Sequence, residues 1–93
     1  MRIITPERVA IAIRADSDED LAYLERLAEE ASQIVLDYLK QWPETWTGPD
    51  DVPLHIQSAT ALVAISLDEK RDENPINEGV RSILMRSRDP AFA

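Results

Sequence analysis

A short acidic stretch near the N-terminus carries the residues of this chain that are best suited to chemistry. Residues 15–21 read ADSDEDL, and three aspartates at alternate positions are typical of the start of a calcium-binding loop. An EF-hand loop that began at Asp16 would need glycine at its sixth position and a bidentate glutamate at its twelfth. Leu21 and Leu27 occupy those positions. The sequence therefore predicts no calcium site.

The serine in this stretch permits two other interpretations. Acidic four-helix carrier proteins attach a phosphopantetheine arm to a serine that opens a helix in an Asp-Ser-Leu sequence, whereas here Asp16-Ser17 is followed by Asp18. Ser17 also suits the N-cap of a helix, because Asp20 stands three residues further on in an arrangement similar to a capping box. The N-cap interpretation is favoured, and modification by a pantetheinyl transferase is the alternative.

Catalysis and metal binding have few residues to work with elsewhere in the chain. The sequence contains no cysteine and a single histidine, His55. A catalytic triad, a cysteine-ligated zinc site or a histidine-based metal site cannot be assembled from that set. We therefore expect no enzymatic activity, no catalytic residue, no metal and no cofactor.

Composition limits the kinds of partner. The 93 residues include 10 basic and 18 acidic side chains, a net charge of −8 that repels nucleic-acid phosphate. No apolar run approaches the roughly 20 residues that span a bilayer, so no membrane partner is expected. The N-terminal residues lack the features of a signal peptide. These features suggest a soluble protein that remains in the compartment where it is made.

The spacing of apolar residues predicts an all-α fold. A short first helix begins with Thr5 as N-cap and Pro6 at its first position. A second helix is predicted from about Asp18 to about Lys40, capped by Ser17. Its inward face combines residues three and four apart. They are Leu21, Leu24, Leu27, Ala28, Ala31, Ile34, Val35, Tyr38 and Leu39.

Two further helices follow a loop rich in proline. A third helix is predicted to start at Asp51-Val52-Pro53, and its segment 59–67, ATALVAISL, is apolar nearly all round, which indicates a central position. Asn77 is predicted to cap a last helix that carries Arg81, Arg86 and Arg88 outward. The expected architecture is a small helical bundle in one domain, residues 1–93. This bundle has two long antiparallel helices, a short N-terminal helix and a short C-terminal helix. Flexible tails are expected at 1–4 and 89–93.

The loop between the two long helices holds both tryptophans of the chain. Trp42 and Trp46 are spaced four residues apart among prolines. They either fold back over the end of the bundle or anchor a partner, because tryptophan is enriched in interface hot spots. Candidate partner contacts are therefore Trp42, Trp46, Arg81 and Arg86.

The order of these features resembles the head–tail connector (head-completion adaptor) proteins of long-tailed bacteriophages. The first helix of that family ends in Leu-Arg-x-Asp, and residues 13–16 of this chain, IRAD, correspond to that pattern. An acidic stretch ending in Asp-Leu follows in the family, and residues 20–21 match its end. The family's long helix has alanine, valine and Tyr-Leu at the spacing of Ala31, Val35 and 38–39. Its next helix opens with Val-Pro, here 52–53, and continues at the spacing of Ile56, Ala59, Leu62 and Val63.

The chain departs from the family pattern in two places. The Tyr-Glu-x-Arg-acidic sequence that closes the family's third helix reads Asp68-Glu69-Lys70-Arg71-Asp72 here, with aspartate in place of tyrosine. The closing Leu-Leu-x-Pro-Tyr-Arg corresponds to residues 83–88, which lack the Pro-Tyr pair. Contacts that depend on the missing aromatic rings are therefore not expected in this chain.

The resemblance implies a non-enzymatic virion protein, made in the host cytoplasm and located at the head–tail junction. It implies a ring that matches a twelvefold portal, binds the portal and the tail or next head-completion protein, and lets DNA pass without specific binding. The alternative from a different class is a small acidic interaction protein, such as an antitoxin-like or DNA-mimic inhibitor. The arginine-rich last helix favours the connector, because a DNA mimic would carry acid over its whole surface.

Overall fold

The computed structural model of the chain describes residues 2–14, 20–69 and 74–88, and these residues form a helical bundle. It contains α1 (Pro6–Ile13), α2 (Leu21–Leu39), α3 (Leu54–Asp68) and α4 (Glu78–Arg88). A single 3₁₀ turn, Pro49–Asp51, precedes α3. The described ranges hold four α-helices and no strand, which confirms the predicted all-α class. None of these helices combines the length and the hydropathy that crossing a bilayer would need.

The N-terminal segment and α1 are fixed to the rest of the bundle. The Thr5 hydroxyl accepts a hydrogen bond from the backbone N–H of Arg8 at 3.2 Å, and Pro6 is the first helical residue, as predicted. The prediction of a flexible tail over residues 1–4 is wrong for Ile3 and Ile4, whose side chains are fully buried in the core. The Ile3 backbone N–H donates to the buried Ser32 hydroxyl of α2 at 2.9 Å, which ties the segment down.

Helix α2 begins later than the sequence predicts. Its N-cap is Asp20, whose carboxylate accepts a hydrogen bond from the Ala22 backbone N–H at 3.0 Å, so the prediction that Ser17 caps this helix is wrong. Ser17 itself, with residues 15–19, lies outside the described residues. Leu21 was predicted to face inward, but it is 60% exposed, because it sits in the first turn before the helix reaches the core.

The remaining stripe of α2 forms one side of the core as predicted. Most of its members are buried, and Ile34 and Tyr38 pack against the core from its edge. The buried hydrophobic residues of α2 are Leu24, Leu27, Ala28, Ala31, Val35, Leu36 and Leu39. Leu27, at the position where a calcium loop would need glutamate, is therefore a core residue.

Helix α3 occupies the centre of the bundle, which confirms its predicted position. It packs against each of the other three helices and buries Ile56, Ala59, Val63 and Ala64 among them. It starts at Leu54, directly after Val52-Pro53, and ends at Asp68. Its apolar sequence does not mean burial on all sides, however: Leu54 is 72% exposed and Leu62 is 42% exposed.

Helix α4 closes the bundle and starts as predicted. The Asn77 side-chain oxygen accepts a hydrogen bond from the Val80 backbone N–H at 2.9 Å, and Val80 and Leu84 are buried. The two longest helices are α2 with 19 residues and α3 with 15. Their antiparallel orientation stays a prediction.

We predict that Ser32→Ala lowers the free energy of unfolding by about 1–3 kcal/mol, because the buried Ile3 N–H loses its acceptor. Urea denaturation followed by circular dichroism measures the change. Ser82→Ala, at an exposed position of α4, is the control and should shift stability by less than about 0.5 kcal/mol. Equal effects of the two substitutions would show that the Ile3–Ser32 bond does not anchor the N-terminal segment.

Candidate interaction surfaces

The residues that the structure describes contain no cluster of side chains suited to a metal ion. No group of three or more histidine, aspartate and glutamate side chains among them is arranged to hold a metal ion. Of the acidic stretch, residues 15–21, the structure describes Asp20 and Leu21. The Asp20 carboxylate caps α2. The candidate functional features of the described residues are therefore surfaces of the bundle.

The loop that holds the two tryptophans places them in different surroundings. Lys40 ends α2 in a positive-φ conformation (φ 67°), and the Trp46 backbone N–H donates to the Pro43 carbonyl at 3.1 Å, which turns the chain back. Trp46 is partly buried and packs against the hydrophobic core, whereas Trp42 is 41% exposed. Trp46 thus covers the end of the bundle, and Trp42 is the tryptophan available to a partner.

The same loop is held rigid by a short hydrogen-bond latch. The Asp51 carboxylate accepts from the Thr47 hydroxyl at 2.8 Å and from the Thr47 backbone N–H at 3.0 Å. These bonds, the hydroxyl bond first, lower the pKa of Asp51 below its ordinary value of 3.8, because they stabilise the charged carboxylate. The latch fixes the turn between Trp46 and the start of α3.

A buried glutamine joins this turn to α1. The Gln57 side chain is only 7% exposed, and its Nε2 donates to the backbone carbonyls of Pro49 and Val52 at 2.8 and 3.1 Å. Its Oε1 accepts from Arg8 Nη1 at 2.9 Å, so every polar group of the amide is satisfied. Open grooves of about 610 and 550 Å³ flank Pro49, and neither is an enclosed ligand cavity.

A hydrogen bond links the start of α2 to the end of α3. The Tyr23 hydroxyl donates to Asp68 Oδ1 at 2.6 Å, and the Arg26 guanidinium lies 5.3 Å from the centre of the Tyr23 ring. A charge-assisted bond of this length is stronger than a neutral one. The bond joins residues 45 positions apart in the sequence, so it ties the two helices together.

The outward side of α2 is an acidic face. We use that name for Glu25, Glu29, Glu30 and Asp37, which are all exposed. Arg2 lies 4.0 Å from Glu25 and 3.5 Å from Glu29, and Arg26 lies 4.0 Å from Glu30. Exposed pairs of this kind add little stability. The face remains predominantly negative.

The outward side of α3 is apolar and is called the α3 stripe below. It consists of exposed or half-buried residues at the spacing of one helix face. The members are Leu54, Ser58, Ala61, Leu62 and Ile65. No Asp, Glu, Lys or Arg occurs anywhere in residues 54–67, so this surface offers a partner apolar contact without charge.

The predicted contact residues on α4 lie on another element. Arg81 is exposed on α4. Arg86 belongs to the same helix, and its side chain lies outside the description. Among the described residues, no hydrogen bond or ion pair joins Arg81 to either tryptophan. Trp42, Trp46, Arg81 and Arg86 stay predicted partner contacts.

Comparison with known proteins identifies the family. The family model described as phage gp6-like head-tail connector protein matches residues 4–92, nearly the whole chain. The chain belongs to this family. Membership makes it a structural phage protein of the head–tail junction in a family that is not enzymatic. No curated protein and no solved structure matches the chain.

Three features of this connector were not predicted from sequence. The exposure of the α3 stripe was missed because uniform hydrophobicity indicates burial but not its direction. The Gln57 junction had a signal, since glutamine is the one amide side chain of α3. The Thr47–Asp51 latch was missed because it depends on how the turn between the two residues folds.

We predict that the pKa of Asp51 lies below 3.8 and that Thr47→Val raises it, because the hydroxyl bond to the carboxylate is lost. Carboxylate chemical shifts recorded by NMR against pH measure both values. At pH values above 3.8, the ordinary pKa of the carboxyl, the latch stabilises the folded chain. That stabilisation is lost as the pH falls through the lower pKa that Asp51 has in the folded state. An unchanged Asp51 titration in the valine variant would mean that the latch does not form in solution.

Proposed function

We propose that this connector is a ring-forming adaptor that sits between the portal and the tail, or the next head-completion protein, and extends the DNA channel. Its family membership is the observation that carries the proposal. A ring matching a twelvefold portal needs a heterologous interface, in which one face of each subunit meets a different face of its neighbour. The uncharged α3 stripe is suited to one side of such a contact.

The distribution of charge supports a non-sticking channel. The acidic face of α2 carries four exposed carboxylates, whereas α4 contains three arginines and one glutamate. Carboxylates that faced the lumen would repel DNA phosphate and let the genome pass. The concentration of acid on α2 and of arginine in the sequence of α4 favours an adaptor over a DNA-mimic inhibitor, which would carry acid over its whole surface.

The tryptophan loop is suited to contact with the portal or the tail protein. Trp42 is exposed at the end of the bundle, and its loop is held by Trp46 packing and by the Thr47–Asp51 latch. A large aromatic side chain on an ordered loop loses little conformational entropy on binding and is a typical interface anchor. Arg81 and Arg86 are the candidate contacts from α4.

Inactivation of the gene in its phage should leave packaged heads that do not join tails. Electron microscopy and plaque counts of lysates measure this result. Complementation with the wild-type chain should restore plaques, and Trp42→Ala should restore at least tenfold fewer, with Leu21→Ala as an exposed control on α2. Normal joining of heads and tails without the chain would refute the proposed function.

Replacement of the acidic face should impair passage of DNA. We predict that the triple variant Glu29→Lys, Glu30→Lys and Asp37→Lys still joins heads to tails but lowers genome packaging or ejection, because cations in the lumen would bind phosphate. Glu29→Gln, Glu30→Gln and Asp37→Asn together form the neutral control. Packaging and ejection are measured by DNA protection from nuclease and by potassium release. Wild-type values in the lysine variant would show that this face does not line the channel.

A further inference from the structure

Lys40, the residue that ends α2, has a strained backbone. Among the residues that the structure describes, Arg14 and Lys40 are those other than glycine with positive φ. Arg14 has φ 57° and ψ 40°, the left-handed conformation in which helices commonly end. Lys40 has φ 67° and ψ −36°, which lies outside that allowed region. The end of α1 is therefore ordinary, whereas the end of α2 is strained.

The strain at Lys40 belongs to a three-residue turn. The Gln41 backbone N–H donates to the Leu39 carbonyl at 2.7 Å, so the bond spans Lys40. A hydrogen bond of this kind around a residue with positive φ defines the rare and strained form of the γ-turn. A residue other than glycine stays in such a conformation only where its surroundings enforce it, and such residues are concentrated at ligand clamps and switches.

Anchors on both sides enforce this turn. Leu39 is buried on α2, and Trp46 packs against the same hydrophobic core. Residues 40–45 are all exposed and bridge these two anchors. The Thr47–Asp51 latch acts only beyond Trp46. The segment that carries Trp42 is therefore fixed at its two ends and strained at the first of them.

The sequence offers this segment a second, less strained arrangement. Lys40 and Gln41 both have high helix propensity, so α2 would continue through them if Lys40 took helical dihedrals. Pro43 would end the extension, because helical dihedrals are disfavoured at Trp42, the residue before it. The extension breaks the bond between Gln41 and Leu39, and it moves Trp42.

From the strained turn, its two anchors and the alternative helix end, we infer that Lys40 is a hinge between two arrangements of residues 40–45. In the described arrangement the γ-turn is closed, and in the other α2 continues through Gln41. A few residues at the end of an element commonly absorb such a change in dihedral angles. The strain in the closed turn keeps the two arrangements close in free energy.

The hinge acquires a role at docking, and on this point the inference rests on the proposed function. A partner that binds Trp42 more tightly in the open arrangement shifts the population toward it. The released strain then contributes to binding. The portal or tail protein would thus meet a segment with two defined arrangements, presented by an otherwise fixed bundle.

Fluorine NMR of the free chain labelled with fluorotryptophan tests the hinge, because Trp42 and Trp46 give one signal each. Saturation-transfer spectra should reveal a minor state of Trp42 and none of Trp46. Lys40→Gly should lower the minor population at least threefold and raise the melting temperature, because glycine adopts positive φ without strain. The absence of a minor Trp42 state in the wild-type chain, or an equal one in the glycine variant, would overturn the hinge.

Two further glycine variants are controls. Arg14→Gly also relieves a positive φ at a helix end, and it should leave the minor state of Trp42 unchanged. Gln41→Gly lies beside the hinge at a residue without positive φ, so it should not raise the melting temperature. An equal rise for Gln41→Gly and Lys40→Gly would show that the closed turn is not strained.

Complementation of the inactivated gene tests the role at docking. Lys40→Gly should restore at least threefold fewer plaques than the wild-type chain despite its greater stability, whereas Arg14→Gly should restore wild-type numbers. Wild-type numbers with Lys40→Gly would refute the role of the hinge and leave the adaptor function standing. Normal joining of heads and tails without the chain would refute the adaptor function, and the NMR result would then decide the hinge alone.

Discussion

The packing of α3 against the other three helices is the constraint on which the structure depends. Small buried side chains such as Ala59 and Ala64 let the neighbouring helices approach closely, and Thr60 satisfies its hydroxyl by donating to the Ile56 carbonyl at 2.8 Å. Polar links then fix the periphery to this centre: Gln57 holds the turn before α3 and Arg8 of α1, and Asp68 holds Tyr23 of α2. The core is thus built mainly from α2 and α3, each of which packs against all three other helices.

Helix α3 has three neighbours and one side that none of them covers, and that side carries no Asp, Glu, Lys or Arg. In a chain of 93 residues the single core is small, and the outward side of α3 adds apolar surface that the bundle does not bury. Charge is concentrated elsewhere, with acid on α2 and arginine on α4. The molecule therefore separates a surface suited to packing from a surface suited to repelling phosphate.

The sequence predicted the features that depend on local chemistry. Thr5 and Asn77 were identified as caps, and the periodic stripe of α2 was identified as core, because capping and periodicity operate within a few residues. The cap of α2 was misplaced by three residues, since Ser17 and Asp20 satisfy the same capping rule and only the structure separates them. Burial of Ile3 and Ile4 was missed because it depends on contacts with residues far away in the sequence, and Ser32, which accepts the Ile3 N–H, is 29 positions from it.

The candidate surfaces were less predictable, because exposure is a tertiary property. Trp42 and Trp46 have similar sequence surroundings, yet one is exposed and the other packs against the core. Leu54 and Val63 are both apolar residues of α3, yet one faces solvent and the other is fully buried. The side of a uniformly apolar helix that faces the core is determined by the helices packed against it. The hydropathy of the sequence does not indicate which side that is.

The Tyr23–Asp68 bond has an evolutionary consequence. Its hydroxyl and ring are supplied by α2, and its carboxylate is supplied by α3. Two tyrosines at facing positions would have no carboxylate to share, and two aspartates would repel each other. Substitution at either position alone breaks this hydrogen bond, so we expect the two positions to vary together in related sequences. A pairwise signal between them in homologous sequences would mark this contact without any structure.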